Sequence, residues 1–179
     1  MKAFNPLRLV ALLLGVLLGS ARAEEPKLDS HLEPLRPLLE KTWKGTFKNS
    51  TSDHPVVDVA RWERALNGKA VRVQHSINEG VYGGETLIQW DEKKQSLVYH
   101  YFTTAGFSTT GTMKIEGTKV TSLEEVSGDA GGVTKVRATS EIRADGTFSV
   151  KAEYYKNGEW SLGHEADYHA DPAAKVVFQ

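Results

Sequence analysis

Two histidines, His75 and His164, and the polar side chains on their strand faces are where this sequence could do chemistry. An imidazole titrates near neutrality, so it can act as an acid or base or hold a ligand's polar group. Arg64 could grip a ligand carboxylate with two parallel hydrogen bonds. Tyr82, Tyr154 and Tyr168 carry phenols, and Glu124 a carboxyl, on apolar faces, while Trp62 and Trp90 offer flat apolar walls. Each also has a plainer reading. A histidine can be a neutral, hydrogen-bonded core residue. Arg64, close to a turn, can reach from a rim to water, and the tryptophans, Trp160 included, can fill core. Glu165, Asp167 and His169 share one strand face at a spacing that could hold a metal, but that face reads as exterior, and no metal site is expected. The sequence has no cysteine, which excludes disulfides, thiolate metal sites and thiol nucleophiles. It also has no H-E-x-x-H, G-x-S-x-G, Walker or dinucleotide fingerprint.

The elements that must position these residues are strands. Turn signals recur at Asn67-Gly68, Glu79-Gly80, Asp91 to Lys94, Ala105-Gly106, Glu116-Gly117, Gly128 to Gly132, Asp145-Gly146 and Asn157-Gly158. Between them lie runs of about ten residues rich in Val, Thr, Tyr, Phe and Trp, the pattern of an antiparallel meander. The spacing predicts strands over 42–49, 56–66, 69–78, 81–91, 95–103, 106–116, 118–127, 132–143, 146–156 and 159–170. About ten sequential strands leave no exposed edge if they close into an up-and-down barrel, so the expected fold is an all-β antiparallel barrel. A two-sheet sandwich would need longer crossovers. Ahead of the strands, Ser30-His31-Leu32-Glu33 has the form of a capping box, and Leu32, Leu35, Leu38 and Leu39 follow at helical spacing. Pro37 limits that N-terminal helix to one or two turns.

Tight turns fix which residues oppose each other. A two-residue Asn67-Gly68 turn pairs Arg64 with Val71, Trp62 with Val73 and Ala60 with His75. Glu79-Gly80 then places His75 by Gly84, which leaves room beside the ring, and Ile77 by Tyr82, with Trp90 continuing that face. A three-residue Ala144-Asp145-Gly146 loop pairs Ile142 with Phe148 and Val136 with Tyr154. A three-residue Lys156-Asn157-Gly158 loop pairs Tyr154 with Trp160, Ala152 with Leu162 and Val150 with His164, with Tyr168 on the same face. Strand 95–103 stays open: either Leu97, Tyr99 and Tyr101 face in, or Val98, His100 and Phe102 do.

The 179 residues carry 22 Lys+Arg against 23 Asp+Glu, and this balance disfavours a nucleic-acid partner. Hydrophobic residues at 40% and charged ones at 25% argue for a globular chain rather than disorder. Residues 1–23 read as a signal peptide: Lys2 and Arg8 precede an apolar run over Leu9–Gly19, and Ala21-Arg22-Ala23 offers a cleavage site. That run is too short to span a bilayer, so no membrane span is expected after cleavage, and the destination is the periplasm or beyond. Residues 24–34 are then a linker and helix start, 35–170 one barrel domain, and 171–179 a tail.

The opening Leu35-x-x-Leu38-Leu39 followed by Thr42-Trp43-Lys44-Gly45 resembles the short helix and G-x-W entry of the calycin superfamily, the lipocalin and fatty-acid-binding-protein type of barrel. Lys41 stands where that family has its first glycine. The stretch from Trp62 to Lys69, then Tyr82-Gly83-Gly84-Glu85 and Trp90-Asp91, is similar to exported bacterial calycin-like domains of unknown function. The likeness covers most of residues 35–170 and implies a fold without an activity. The strand count also resembles nitrobindin-type haem barrels, which use a histidine near their C-terminal strands; His164 is the inward match. The residues by themselves call for no cofactor, and haem enters only through that likeness.

The first expectation is a barrel holding a small apolar or amphipathic molecule against Trp62, Arg64, His75, Tyr82, Trp90, Tyr154, His164 and Tyr168. The alternatives are a cavity enzyme using an inward histidine as acid or base, and a filled barrel whose exterior, including Leu87 and Tyr155, meets a partner. The enzyme reading needs two titratable groups within hydrogen-bond reach inside the cavity.

Overall fold

The computed structural model describes residues 27–179. The expected signal peptide lies outside the described residues. Ten strands follow one another: β1 (Lys41–Phe47), β2 (Val57–Ala65), β3 (Ala70–Ile77), β4 (Tyr82–Asp91), β5 (Ser96–Thr103), β6 (Ser108–Glu116), β7 (Lys119–Ser127), β8 (Val133–Ile142), β9 (Phe148–Lys156) and β10 (Glu159–Ala170). Each pairs antiparallel with its neighbour in sequence, and β1 pairs with β10 to close the barrel. Every strand end lies within two residues of the one predicted.

Register follows turn chemistry where the turn is local. Asn67 (φ 53°) and Gly68 (φ 81°) form the left-handed pair of a type I′ turn. The resulting pairs include Ala60 with His75 and Trp62 with Val73, as expected. β3 on β4 and β8 on β9 also match, with His75 by Gly84 and Val136 by Tyr154. β5 settles the open choice: Tyr99 and Tyr101 line the interior, while Phe102 is 62% exposed.

The β9–β10 hairpin departs from expectation. Lys156 pairs with Glu159, so Asn157-Gly158 is a two-residue turn. Asn157 at φ 54° and Gly158 at φ 87° supply I′ geometry, and no third loop residue is needed. Trp160 therefore opposes Tyr155 and Leu162 opposes Glu153. Both lie outside: Leu162 is 61% exposed, and the Trp160 ring lies 4.4 Å from the Arg137 guanidinium. A bulge between Leu162 and His164 then adds one residue and restores the parity, so His164, opposite Ala152, still faces in.

One end of the barrel is plugged. Ser30–Leu38 forms a 3-10 helix rather than an α-turn or two, because Pro34 and Pro37 lack the amide donors of an α-ladder. Its cap is Asp29, which accepts from the His31 amide at 3.1 Å, and not Ser30; Glu33 pairs instead with Arg36 at 2.6 Å. Leu32, Leu35 and Leu38 are fully buried beside Trp43, Val71, Ile88 and Phe148. Each such leucine contributes about 2 kcal/mol by leaving water. Trp43 locks the plug to β1 by donating from Nε1 to the Leu38 carbonyl at 3.1 Å. No helix among the described residues is long and apolar enough to cross a membrane.

Candidate functional site

Above the plug the barrel is hollow. Its cavity, about 710 Å³, has Leu35 and Leu38 on its floor, and Ala105 and Asp129 to Gly131 belong to loops at the opposite end. The lining is mainly apolar. It includes three carboxyl residues, Asp58, Glu124 and Asp129, and no lysine or arginine.

Six expected residues share this cavity: Trp62, His75, Tyr82, Tyr154, His164 and Tyr168. Two lie elsewhere. Arg64, the last inward position before the Asn67 turn, sits at the plugged end and donates from Nε to Glu40 Oε1 at 3.2 Å. Trp90 stacks on His31 of the plug, ring centres 3.8 Å apart, and donates from Nε1 to Glu92 at 2.8 Å. Both are drawn away by the N-terminal segment, whose docking the hairpin arithmetic did not include.

The polar groups form a connected chain across five strands. Asp58 on β2 is 5% exposed. Its Oδ2 accepts from the Tyr168 hydroxyl on β10 at 2.8 Å. Its Oδ1 lies 3.0 Å from His75 Nδ1 on β3. His75 Nε2 lies 2.7 Å from the Tyr101 hydroxyl on β5, which lies 2.9 Å from the Tyr82 hydroxyl on β4. The chain thus starts at a buried carboxylate and ends at Tyr82, whose ring lies 6.4 Å from Phe107. A second pair stands apart: His164 Nδ1 meets the Tyr154 hydroxyl at 2.9 Å, and its ring stacks on Phe47 at 4.7 Å.

Burial sets the electrostatics. It pushes the phenols of Tyr82, Tyr99, Tyr101 and Tyr168 up, and that of Tyr154 up to about 12. It pushes His164 down, toward the neutral imidazole. Glu124 is raised for the same reason, only partly offset by hydrogen bonds from Thr109 and Tyr99. The folded state therefore holds the Glu124 proton more tightly than the unfolded chain does. The stability this contributes is full below the ordinary value of 4.5 and is lost as pH rises through the raised folded value. Glu124→Gln cannot ionise, so it should be more stable than the parent at pH 8, with the difference closing toward pH 4. Urea midpoints at the two pH values measure this; a variant less stable at pH 8 would refute it.

Four glycines make the tyrosines fit. A Cβ on Gly45 would lie 2.8 Å from the Tyr168 ring, on Gly84 2.4 Å from Tyr101, on Gly111 2.6 Å from Tyr99, and on Gly163 2.5 Å from Tyr154. Gly84 was expected to make room for His75; the space is taken by Tyr101. Gly163 lies in the bulge, so the Tyr154 ring and the β10 irregularity belong to one packing solution.

Asp58 and Tyr101 belong to the chain and the cavity wall but are not among the site residues expected from the sequence. Asp58 had a signal: it lies two and four residues before Ala60 and Trp62 and must share their inward face. Tyr101 had none while the facing of β5 was open. The exterior residues Glu165 and Asp167 make ion pairs, Glu165 with Lys48 at 3.5 Å and Asp167 with Arg143 at 3.3 Å. No group of three potential metal ligands occurs among the described residues. For haem, the lining offers the imidazoles of His75 and His164 but no lysine or arginine for the propionates; the residues fit that group only at the iron, and no step is routed through it.

Fold and site together define a closed ten-stranded antiparallel barrel, plugged at one end and hollow at the other. No family model and no curated protein matches the chain. Among solved structures it is similar to the crystal structure of Rv2717c from M. tuberculosis, with a TM-score of 0.60 and 14% identity over 81% of this chain and 99% of that one. At that identity the likeness shows the fold alone.

Proposed function

We propose that this chain is an exported, calycin-like barrel that holds a small apolar or amphipathic molecule in its cavity. The observation that carries the reading is the cavity of about 710 Å³, apolar on most of its wall and carrying one buried hydrogen-bond chain. A barrel whose only task was structural would gain stability by filling that space. On the exterior, Leu123 and Leu162 are separated by the Arg137–Glu153 ion pair, at 2.7 Å, rather than joined in an apolar patch. The test is binding of an uncharged hydrophobic dye such as Nile red, with mass spectrometry of small molecules that co-purify from the native compartment. Expected are saturable dye fluorescence at one site per chain and a bound compound that displaces the dye. No saturable binding would overturn the reading, and a Soret band in the same sample would assign the cavity to haem instead.

A second reading, a cavity enzyme, is favoured by one observation. His75 lies within hydrogen-bond reach of both Asp58 and Tyr101, the arrangement an acid–base group requires. The recovered molecule decides between them. A single compound supports carriage; a pair related by proton transfer supports catalysis.

A further inference from the structure

The hydrogen-bond chain has a direction, and the direction selects a ligand. Asp58, as a carboxylate, can only accept. It accepts from Tyr168 at Oδ2, and at Oδ1 it faces His75 Nδ1. A neutral His75 must therefore carry its proton on Nδ1, which leaves Nε2 with a lone pair. Tyr101 then spends its one hydrogen donating to Nε2 across 2.7 Å. The remaining contact, 2.9 Å between the Tyr101 and Tyr82 hydroxyls, can be made only if Tyr82 donates. While His75 is neutral the Tyr82 hydrogen is thereby committed, and Tyr82 Oη presents only acceptor lone pairs. Four residues on four strands turn the charge of a buried carboxylate into the polarity of one oxygen on the cavity wall.

We propose that the molecule held in this cavity ends in a hydrogen-bond donor, an alcohol, phenol or N–H group, and that Tyr82 Oη receives it. The proposal rests on the binding reading above and adds the ligand's chemical class. The rest of the wall is consistent with it. Asp58, Glu124 and Asp129 line the cavity without a lysine or arginine, so a carboxylate-headed ligand such as a fatty acid would find no cation there. An acceptor-only head, an ether or ester, would set lone pairs against lone pairs at Tyr82. Tyr101 is the positioning residue: it need not touch the ligand, but it takes up the Tyr82 hydrogen.

The experiment is displacement of Nile red at pH 8 by 1-decanol and by its methyl ether. The ether is the more apolar, so burial alone favours it. The proposal predicts the opposite, with decanol binding roughly fivefold tighter, the effect of one hydrogen bond. Tyr82→Phe should remove the advantage of decanol and leave the ether, favoured by burial, as the tighter probe. Tyr101→Phe should reverse the parent's preference, because it frees the Tyr82 hydrogen to donate to the ether; a merely structural Tyr101 would weaken both probes alike. Equal binding of the two probes by the parent protein, or preference for the ether, overturns the proposal while leaving the cavity reading intact. Failure of Nile red itself to bind overturns the cavity reading first. A cavity that takes the dye but releases it to neither probe also refutes the role of Tyr82. A measurement independent of ligand and variants is the nitrogen NMR spectrum of neutral His75. A proton on Nδ1 supports the chain's direction, and a proton on Nε2 refutes it.

Discussion

Asp58→Ala should lower the folding stability by about 3 kcal/mol. The carboxylate accepts from Tyr168 at 2.8 Å and faces His75 Nδ1 at 3.0 Å. Those partners stand on β10 and β3, each separated from β2 in a different way: β10 lies beyond β1, and β3 is the adjacent strand. Removing the acceptor leaves the Tyr168 hydroxyl and one imidazole nitrogen without their partner. Tyr168 is only 5% exposed, so water reaches that hydroxyl poorly. In urea, with a slope of about 2 kcal/mol/M, the midpoint should fall by roughly 1.5 M. Tyr168→Phe, which removes one donor and leaves Asp58 its histidine contact, should cost about 1 kcal/mol. An Asp58→Ala protein within about 0.5 kcal/mol of the parent would show that the buried chain contributes little to folding.

Gly84→Val should cost about 3 kcal/mol and should also break the site. The added Cβ would stand 2.3 Å from the Phe102 carbonyl oxygen and 2.4 Å from the Tyr101 ring. The carbonyl belongs to the paired strand and cannot step aside without opening the β4–β5 ladder. The ring can move only by leaving His75. Denaturation should therefore show a loss of stability, and the Tyr101–His75 contact should vanish from the imidazole NMR signals. Gly111, which combines the Tyr99 ring with the Leu123 carbonyl oxygen at 2.7 Å, should behave like Gly84. The three atoms nearest an added Cβ on Gly45 all belong to the Tyr168 ring and none to the backbone, so alanine there should cost less. Equal costs at all three would mean that backbone clash is not the dominant factor.

Two hairpins with loops of the same form, Ala144-Asp145-Gly146 and Lys156-Asn157-Gly158, close differently. Ala144-Asp145-Gly146 behaves as a three-residue loop: the Arg143 amide donates to Thr147 O at 2.8 Å, and Gly146 has φ 84°. Lys156-Asn157-Gly158 does not, because Asn157 also accepts the left-handed conformation and closes the turn with Gly158 alone. The resulting slip puts Trp160 and Leu162 outside. His164 and Tyr168 survive as inward residues because the bulge at Gly163 adds back the missing step. That bulge is cut to fit the Tyr154 ring from the neighbouring strand, a partner no local pattern names.

Alternation and turn chemistry within β2–β4 and β8–β9 were enough to assign the strands, their registers and the inward faces of Trp62, His75, Tyr82 and Tyr154. These depend on contacts between residues a few positions either side of a turn, and local backbone preference governs them. The sequence alone also implied a closed barrel, since ten consecutive ribbons leave two edges that must meet. Only the tertiary structure brought Asp58 to Tyr168, 110 residues away, and His75 to Tyr101 across the intervening β4. Those meetings depend on barrel closure and on where bulky rings find glycines, and the same packing sends Arg64 and Trp90 to the plug instead of the cavity.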